Sequence, residues 1–510
     1  RIQAIYSTDR YLYMRSARGC YRIPFDGDKL KRGESSYIGF HAVNPNIPEY
    51  TSGKFVVHQD SILWCAYLGG IIEIQQAFLE NPIGRNHLEN AKGGDLSKQK
   101  ITDLLIDKYD NLWITMKSWG VIYRTLSNYS FKNISRQDFQ KMGFSRNEVN
   151  SVVSQQGDIL WMLVESGSLF RYDIQTETLS LMPVSGVNME SRFLQTIHLG
   201  KEQRYLYIGT NQGTLIYDTQ TGVTRELILL PSPDSYRLNT SIAKITEDSQ
   251  GRLWFGTWGD GLFCVENVLT DPKLVFHFNM QTELPILSHL VADVLVYGNS
   301  IFVCTTNGLN KIILSSSGEV KKISSYQADS ALNTSMSTNY LASMDCQNDS
   351  VCWIGTIGGG LNKVVIHSDN SNDYTAVCYT SQNGLTSNDC EIVFVDDTHN
   401  VWIGGNGITR LNTDNERIYT YGSTNGLQNN AFKMGAGYKG ADETLYMGGL
   451  YGLSYFNPSE TLQSVNRSEL VFTNLIVNHK EIIPQNTYND HVVLKTILDK
   501  TSELSLMYKQ

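Results

Sequence analysis

Side chains suited to gripping a ligand, rather than to breaking bonds, gather in short polar stretches of this chain. Trp258 and Asp260 stand two apart; Tyr236, Arg237 and Asn239 crowd one segment; Arg192, His289, Trp119 and the pair Asn211–Gln212 occupy others. Aromatic faces cover the C–H surfaces of a ring-shaped ligand, and planar amides bond its hydroxyls. Arg192 and Arg237 add charge-assisted, bidentate bonds for a carboxylate or sulfate. Each residue also has a plainer reading, as repeat consensus or as a solvated loop residue. Catalytic constellations are absent from the sequence: it holds no HExxH, GxSxG, Walker loop or dinucleotide fingerprint. The ten histidines stand singly, without metal-ligand spacing, and no CxxC occurs, so neither metal nor cofactor is expected. Asp369-Asn-Ser-Asn-Asp373 alternates oxygens like a calcium loop but lacks the central Gly and closing Glu.

The elements that must position these residues are short strands. Tyr (28 residues) outnumbers Phe and Trp combined, Gly is frequent at 42, and charged residues make up 18%. That balance favours strands and tight turns over long helices. A formal charge of -9 repels phosphate backbones, so nucleic acid is not an expected partner. No apolar run is long enough to span a bilayer, and residues 1–6 lack a signal pattern.

A repeat organises the whole chain. Its clearest copies are Asp248-Ser-Gln-Gly-Arg-Leu-Trp-Phe-Gly-Thr-Trp-Gly-Asp-Gly-Leu262, the run 349–363 and the run 110–124. An aromatic anchor recurs at 13, 64, 113, 161, 207, 254, 302, 353, 402 and 446, always 44 to 51 residues from the next. Each unit reads as a strand, a turn rich in Asp, Asn, Ser or Gly, an aromatic strand, a Gly-rich turn and two further strands. Four short antiparallel strands per unit is a β-propeller blade, so the fold class is all-β.

Ten blades exceed one ordinary ring, which closes with four to eight. Counting seven back from Phe-Asn-Pro458 gives a seven-bladed ring over 146–458, preceded by a partial propeller of three blades over 1–135. Three blades do not close, so further opening blades are expected outside this chain. From Glu469 the repeat stops and alternating strands begin, as the start of an Ig-like β-sandwich over 469–510. Loops entering the innermost strand and loops between second and third strands share one mouth of such a ring. Trp258, Asp260, Trp119, Asn211 and Gln212 fall in second-to-third loops. Tyr236, Arg237, Asn239, Arg192 and His289 precede inner strands. Cys65, Cys264, Cys304 and Cys352 fall in strands; Cys346 with Cys352, or Cys378 with Cys390, are the pairs open to a disulfide.

The Leu-Trp-Ile-Gly-Thr…Gly-Gly-Leu-Asn unit resembles the two-component-regulator propeller repeat. With Phe-Asn-Pro458, Glu469-Leu-Val-Phe-Thr-Asn-Leu-Ile-Val-Asn478 and Leu504-Ser-Leu-Met-Tyr-Lys-Gln510, nearly the whole chain is similar to the periplasmic sensor region of bacterial hybrid two-component systems. In that family two seven-bladed propellers precede a triple-tyrosine Ig-like domain, a membrane helix and cytoplasmic kinase and regulator modules. The resemblance implies a periplasmic, homodimeric ectodomain that binds an oligosaccharide or polysaccharide fragment and controls a histidine kinase. It implies no enzyme activity in this chain, and membrane anchoring through segments outside it. Two rivals remain, because propellers host all three activities. One is a polysaccharide lyase or glycoside hydrolase with acids converging from different blades. The other is a protein-interaction scaffold with a flat mouth.

Overall fold

The computed structural model describes residues 2–27, 29–43, 54–58, 60–67, 70–78, 82–87, 100–107, 110–117, 120–126, 131–145, 147–164, 167–185, 187, 192–229, 239–422, 425–427, 431–461, 474–477, 480–488 and 491–495. Two compact units divide it, 1–463 and 464–510.

Within the first unit, seven four-stranded antiparallel sheets form a ring. Their inner strands are Val149–Gln155 (blade 1), Leu194–Leu199 (blade 2), Ile242–Glu247 (blade 3) and Val291–Tyr297 (blade 4). Leu341–Cys346 (blade 5), Ile392–Val395 (blade 6) and Phe432–Lys439 (blade 7) complete the set. Each inner strand packs against the next, and blade 7 against blade 1, so the ring is closed. Ahead of it lie three sheets with inner strands Ile2–Ser7, Phe55–His58 and Ile101–Ile106. Among the described residues no helix is long and apolar enough to cross a membrane.

The ring corrects one boundary read from the sequence. Residues 132–135 were expected in the partial propeller, at the end of 1–135. Instead Lys132–Ser135 pairs antiparallel with Gly452–Phe456 and supplies the outer strand of blade 7. The last repeat codes for only three of its own strands, and an unpaired sheet edge is filled from the N-terminal side. Phe131 and Ile134 lock the splice: Phe131 packs edge-on against Phe456 at 4.7 Å, and Ile134 is 1% exposed.

Seven apolar clusters hold the ring, each filling the gap between consecutive blades. The aromatic anchors are their centres: Trp161, Trp254, Trp353 and Trp402 are each at most 2% exposed. A buried indole N–H needs an acceptor; for three of the four the residue six positions earlier provides it, while Trp353 Nε1 has no hydrogen-bond partner among the described residues. Trp254 donates to Asp248 Oδ2 at 3.0 Å, Trp402 to Asp396 at 2.8 Å, and Trp113 to Asp107 at 2.7 Å. In blade 1 Gln155 takes the role for Trp161 at 2.9 Å. The Thr-to-Gly spacing has an equally local cause, since Thr257 Oγ1 donates to the Gly261 carbonyl and Thr356 to that of Gly360, both at 2.8 Å. Gly261 sits at φ +79°, where a Cβ would overlap the Phe278 carbonyl oxygen.

Of the two cysteine pairings left open by the sequence, Cys346–Cys352 is formed and Cys378 and Cys390 are free. The bonded pair lies directly across the inner hairpin of blade 5. Closing so short a loop is worth about 2 kcal/mol in the chain-entropy account. Reductant is therefore expected to lower the thermal midpoint by a few degrees, and Cys346→Ala/Cys352→Ala should melt at the same lower temperature whether or not reductant is present. Equal midpoints for the oxidised parent and that double variant would show that the bridge adds nothing.

The calcium-like run 369–373 has a structural use. It crosses to blade 4 and lies along that blade's outer strand, Val320–Tyr326. The Asn372 N–H donates to the Ser325 carbonyl at 3.0 Å, the Ser325 N–H to Ser371 Oγ at 3.1 Å, and the Gln327 N–H to Asn372 Oδ1 at 2.9 Å. Asp369 takes a hydroxyl hydrogen bond from Ser324 at its carbonyl and pairs with Lys311 at 3.3 Å. Its oxygens thus bind protein donors.

In the second unit the described residues make two hairpins, Ile476–Val477 with Lys480–Glu481 and Thr487–Tyr488 with His491–Val492. Val477, Ile482, Val493 and Leu494 form their small core. The strand expected over 470–478 is described only from 474, and that over 503–508 lies outside the described residues.

Candidate functional site

One end of the ring is built by three kinds of position: the residue before each inner strand, the loop after each second strand, and the glycine opening the third. Two backbone hydrogen-bond sets tie them together. Within blades, the Asn211 N–H donates to the Phe193 carbonyl, Trp258 to Ser241, Thr306 to Leu290, Ile357 to Tyr340 and Leu450 to Ala431. Between blades, the Gly213 N–H donates to the Thr240 carbonyl at 3.0 Å, Gly261 to His289 at 2.9 Å, Gly308 to Asn339 at 2.9 Å and Gly360 to Asn388 at 2.8 Å. In these four blades the repeated glycine is thereby an inter-blade clasp, which braces the described part of the rim.

The residues immediately before the seven inner strands form a circle in chain order: Glu148, Phe193, Ser241, Leu290, Tyr340, Glu391 and Ala431. Phe193 is 61% exposed, Tyr340 38% and Leu290 37%, and half-buried Trp258 bridges to Leu290 from the neighbouring blade. Blades 2 to 5 thus present an apolar, aromatic arc. Blades 6, 7 and 1 present a polar one: Lys433 Nζ lies 3.2 Å from Glu148 Oε2 and 2.8 Å from Asn150 Oδ1. Glu391 accepts the Met434 N–H at 2.7 Å. Burial pushes its carboxyl above the usual range, Asp389 adds to the rise, and the Met434 amide and Lys433 oppose it.

The residues singled out from sequence fall as follows. Trp258 stands on the rim as described. Asp260 turns to its own blade, with Oδ1 3.2 Å from His277 Nε2 and accepting from Asn279 Nδ2 at 3.1 Å, so it braces the loop that carries Trp258. His277 in turn stacks on Phe263 at 4.1 Å. Asn211 Oδ1 accepts the Phe193 N–H at 2.8 Å, holding that ring's backbone. Gln212 donates its N–H to Thr210 Oγ1 at 3.0 Å. Arg192 ion-pairs with Glu226 at 2.7 Å, and its side chain is only 14% exposed. His289 gives its carbonyl to two glycine amides, and its buried Nδ1 has no hydrogen-bond partner among the described residues. Asn239 is exposed just ahead of blade 3. Trp119, Tyr236 and Arg237 lie outside the described residues. Sequence reading passed over Phe193, Leu290, Tyr340, Glu148 and Glu391. Aligning the copies on their aromatic anchors and inspecting the position before the first strand would have found them.

Comparison with known proteins agrees with this architecture. Residues 236–259 match the family model described as two component regulator propeller. The chain is 21% identical over 363 residues to histidine kinase P4 of Formosa agariphila, an alignment covering 70% of this chain and 25% of that protein. Among solved structures it is similar to an extracellular domain assigned to a hybrid two component system of B. thetaiotaomicron. The TM-score is 0.65 at 19% identity, over 95% of this chain and 61% of that one. It therefore spans a quarter of the curated relative it matches and about three-fifths of that solved chain. This chain is a β-propeller protein that carries the two component regulator propeller repeat and whose fold is similar to that of the extracellular domain of a hybrid two component system.

Proposed function

We propose that this chain is the ligand-sensing part of a hybrid two-component receptor. It binds an oligosaccharide or polysaccharide breakdown product at the mouth of the seven-bladed ring and leaves it chemically intact. The observation that carries the signalling half is the alignment of most of the chain with a histidine kinase. The ligand half is supported by the rim itself, an aromatic arc facing a hydrogen-bonding arc on a braced frame, which is how sugar C–H faces and hydroxyls are held together. In this reading the chain works in the periplasm as a homodimer through its C-terminal unit, and its membrane anchor and kinase lie elsewhere in the whole protein. The Cys346–Cys352 bond suits an oxidising compartment.

The test is isothermal titration of the chain against a panel of oligosaccharides, with product analysis of each mixture. One glycan class is expected to bind and be recovered uncleaved. Trp258→Ala should weaken that binding about tenfold or more, as loss of a central aromatic contact does, with an unchanged melting curve. Cleaved product would transfer the case to a propeller enzyme. Absence of binding across the panel would leave a protein-docking scaffold and end the sensor-of-glycans reading.

A further inference from the structure

We infer that the mouth of the ring selects neutral oligosaccharides and turns acidic ones away; this rests on the glycan-binding reading above. Arginines near the inner strands suggest the opposite at sequence level, so the argument turns on which charges remain free. Within two residues of the seven inner-strand starts, the described Lys and Arg side chains are Arg192, Lys244 and Lys433. Each is already neutralised. Arg192 holds Glu226 at 2.7 Å, Lys244 holds Asp293 at 3.1 Å, and Lys433 holds Glu148 at 3.2 Å. Asp293 is further committed, since its Oδ2 accepts the Met344 N–H of the next blade at 3.1 Å.

The carboxylate left over is Glu391. It has an amide partner, Met434, and, among the described residues, no cation within ion-pair distance. Among the described residues of the rim, an incoming uronate or sulfate gains a counter-charge only by breaking one of these three pairs, stranding the acid it displaces. It would also approach a rim carboxylate of like sign on the polar arc. Both costs fall on the bound state, and a neutral sugar meets neither. A neutral sugar still finds what it needs: Phe193, Trp258 and Tyr340 for its C–H face, with the Asn150 amide and the outer lone pairs of Glu148 and Glu391 for its hydroxyls. The paired lysines and arginine serve to fix acidic partners in place.

The experiment titrates the full chain with neutral gluco-, manno- and xylo-configured hexasaccharides, an oligogalacturonate, a sulfated disaccharide and a chitosan oligomer, at low and high salt. Binding is expected for a neutral member only, with affinity changing less than about twofold between the two salt conditions. In Glu148→Gln/Glu391→Gln oligogalacturonate affinity should rise about tenfold over the parent, because two rim carboxylates are gone and Lys433 loses its acidic partner. The inference falls, and the glycan reading stands, if the parent binds oligogalacturonate, the sulfated sugar or chitosan more tightly than every neutral member and Trp258→Ala weakens that binding. If no member binds, or if any is cleaved, the glycan reading fails and takes this inference with it.

Discussion

Phe131→Ala combined with Ile134→Ala is expected to cost the ring several kcal/mol and to lower its urea midpoint more than any pair of surface changes. Each side chain is buried, at 7% and 1% exposure, and they belong to different inter-blade clusters, 6–7 and 7–1. Truncations of this kind cost about 3–5 kcal/mol for Phe and about 2–5 for Ile. The sum rivals the whole stability of an ordinary domain, about 5–15 kcal/mol. Placement adds to the effect. The strand they anchor pairs with residues more than three hundred positions away, as Asn133 and Ser454 show at a separation of 321. Among the described residues, that pairing alone joins the two ends of the ring through backbone hydrogen bonds within one sheet. Ile245→Ala, a core change inside blade 3 (3% exposed), serves as the control. Both should destabilise, but only the closing-strand variant should become sensitive to protease between residues 126 and 147 well below its midpoint. A double variant within about 1 kcal/mol of the parent would mean that closure is not what holds the ring.

Asp248→Ala is the second change with a large expected cost, about 3–5 kcal/mol. Asp248 takes hydrogen bonds from the Gln250 and Arg252 amides, from Arg252 Nε at 2.7 Å and from the Trp254 indole. Both charged side chains are below 10% exposed. Removing the carboxylate leaves a buried guanidinium with a hydrogen bond to the Gly318 carbonyl of blade 4 at 2.9 Å and the faces of Trp254 and Phe276, but no counter-charge among the described residues. Blade 6 contains the matched comparison. Asp396 takes the same position, but its partners are neutral, Asn400 and Trp402. Asp396→Ala should therefore cost less, about 1–3 kcal/mol. Adding Arg252→Met to Asp248→Ala should recover most of the difference. Equal losses at both sites would show that the buried charge is immaterial and that the indole bond accounts for the effect.

What made the fold readable in the sequence is that its signals are local. Asp248 and Trp254, or Thr257 and Gly261, satisfy one another within a few residues, so the chemistry stamps a short spacing that is repeated in several blades. The closing strand has no such stamp. Lys-Asn-Ile-Ser carries no anchor and no glycine, and its partner lies at the far end of the ring. The mouth was half readable for the same reason. Trp258 follows a repeated motif and was found. Phe193, Leu290 and Tyr340 occupy a position that is also Glu, Ser or Ala in other blades, so no pattern marks it. The pairing of Arg192 with Glu226 was equally hidden, because two charges on different loops reveal nothing until the strands between them are laid side by side.

The crossing of residues 369–373 onto blade 4 has a consequence for how the protein behaves in company. The outer strand of a blade is a row of amides and carbonyls that any extended peptide could extend into a longer sheet. At Ser325 and Gln327 those groups are already taken by Ser371 and Asn372, so a neighbouring molecule finds no template there. A propeller secures its solubility one rim at a time, and here part of that protection is lent by the adjacent blade. A loop deletion across 369–373 would leave the ring standing yet turn one of its margins into a seed for chain-to-chain stacking.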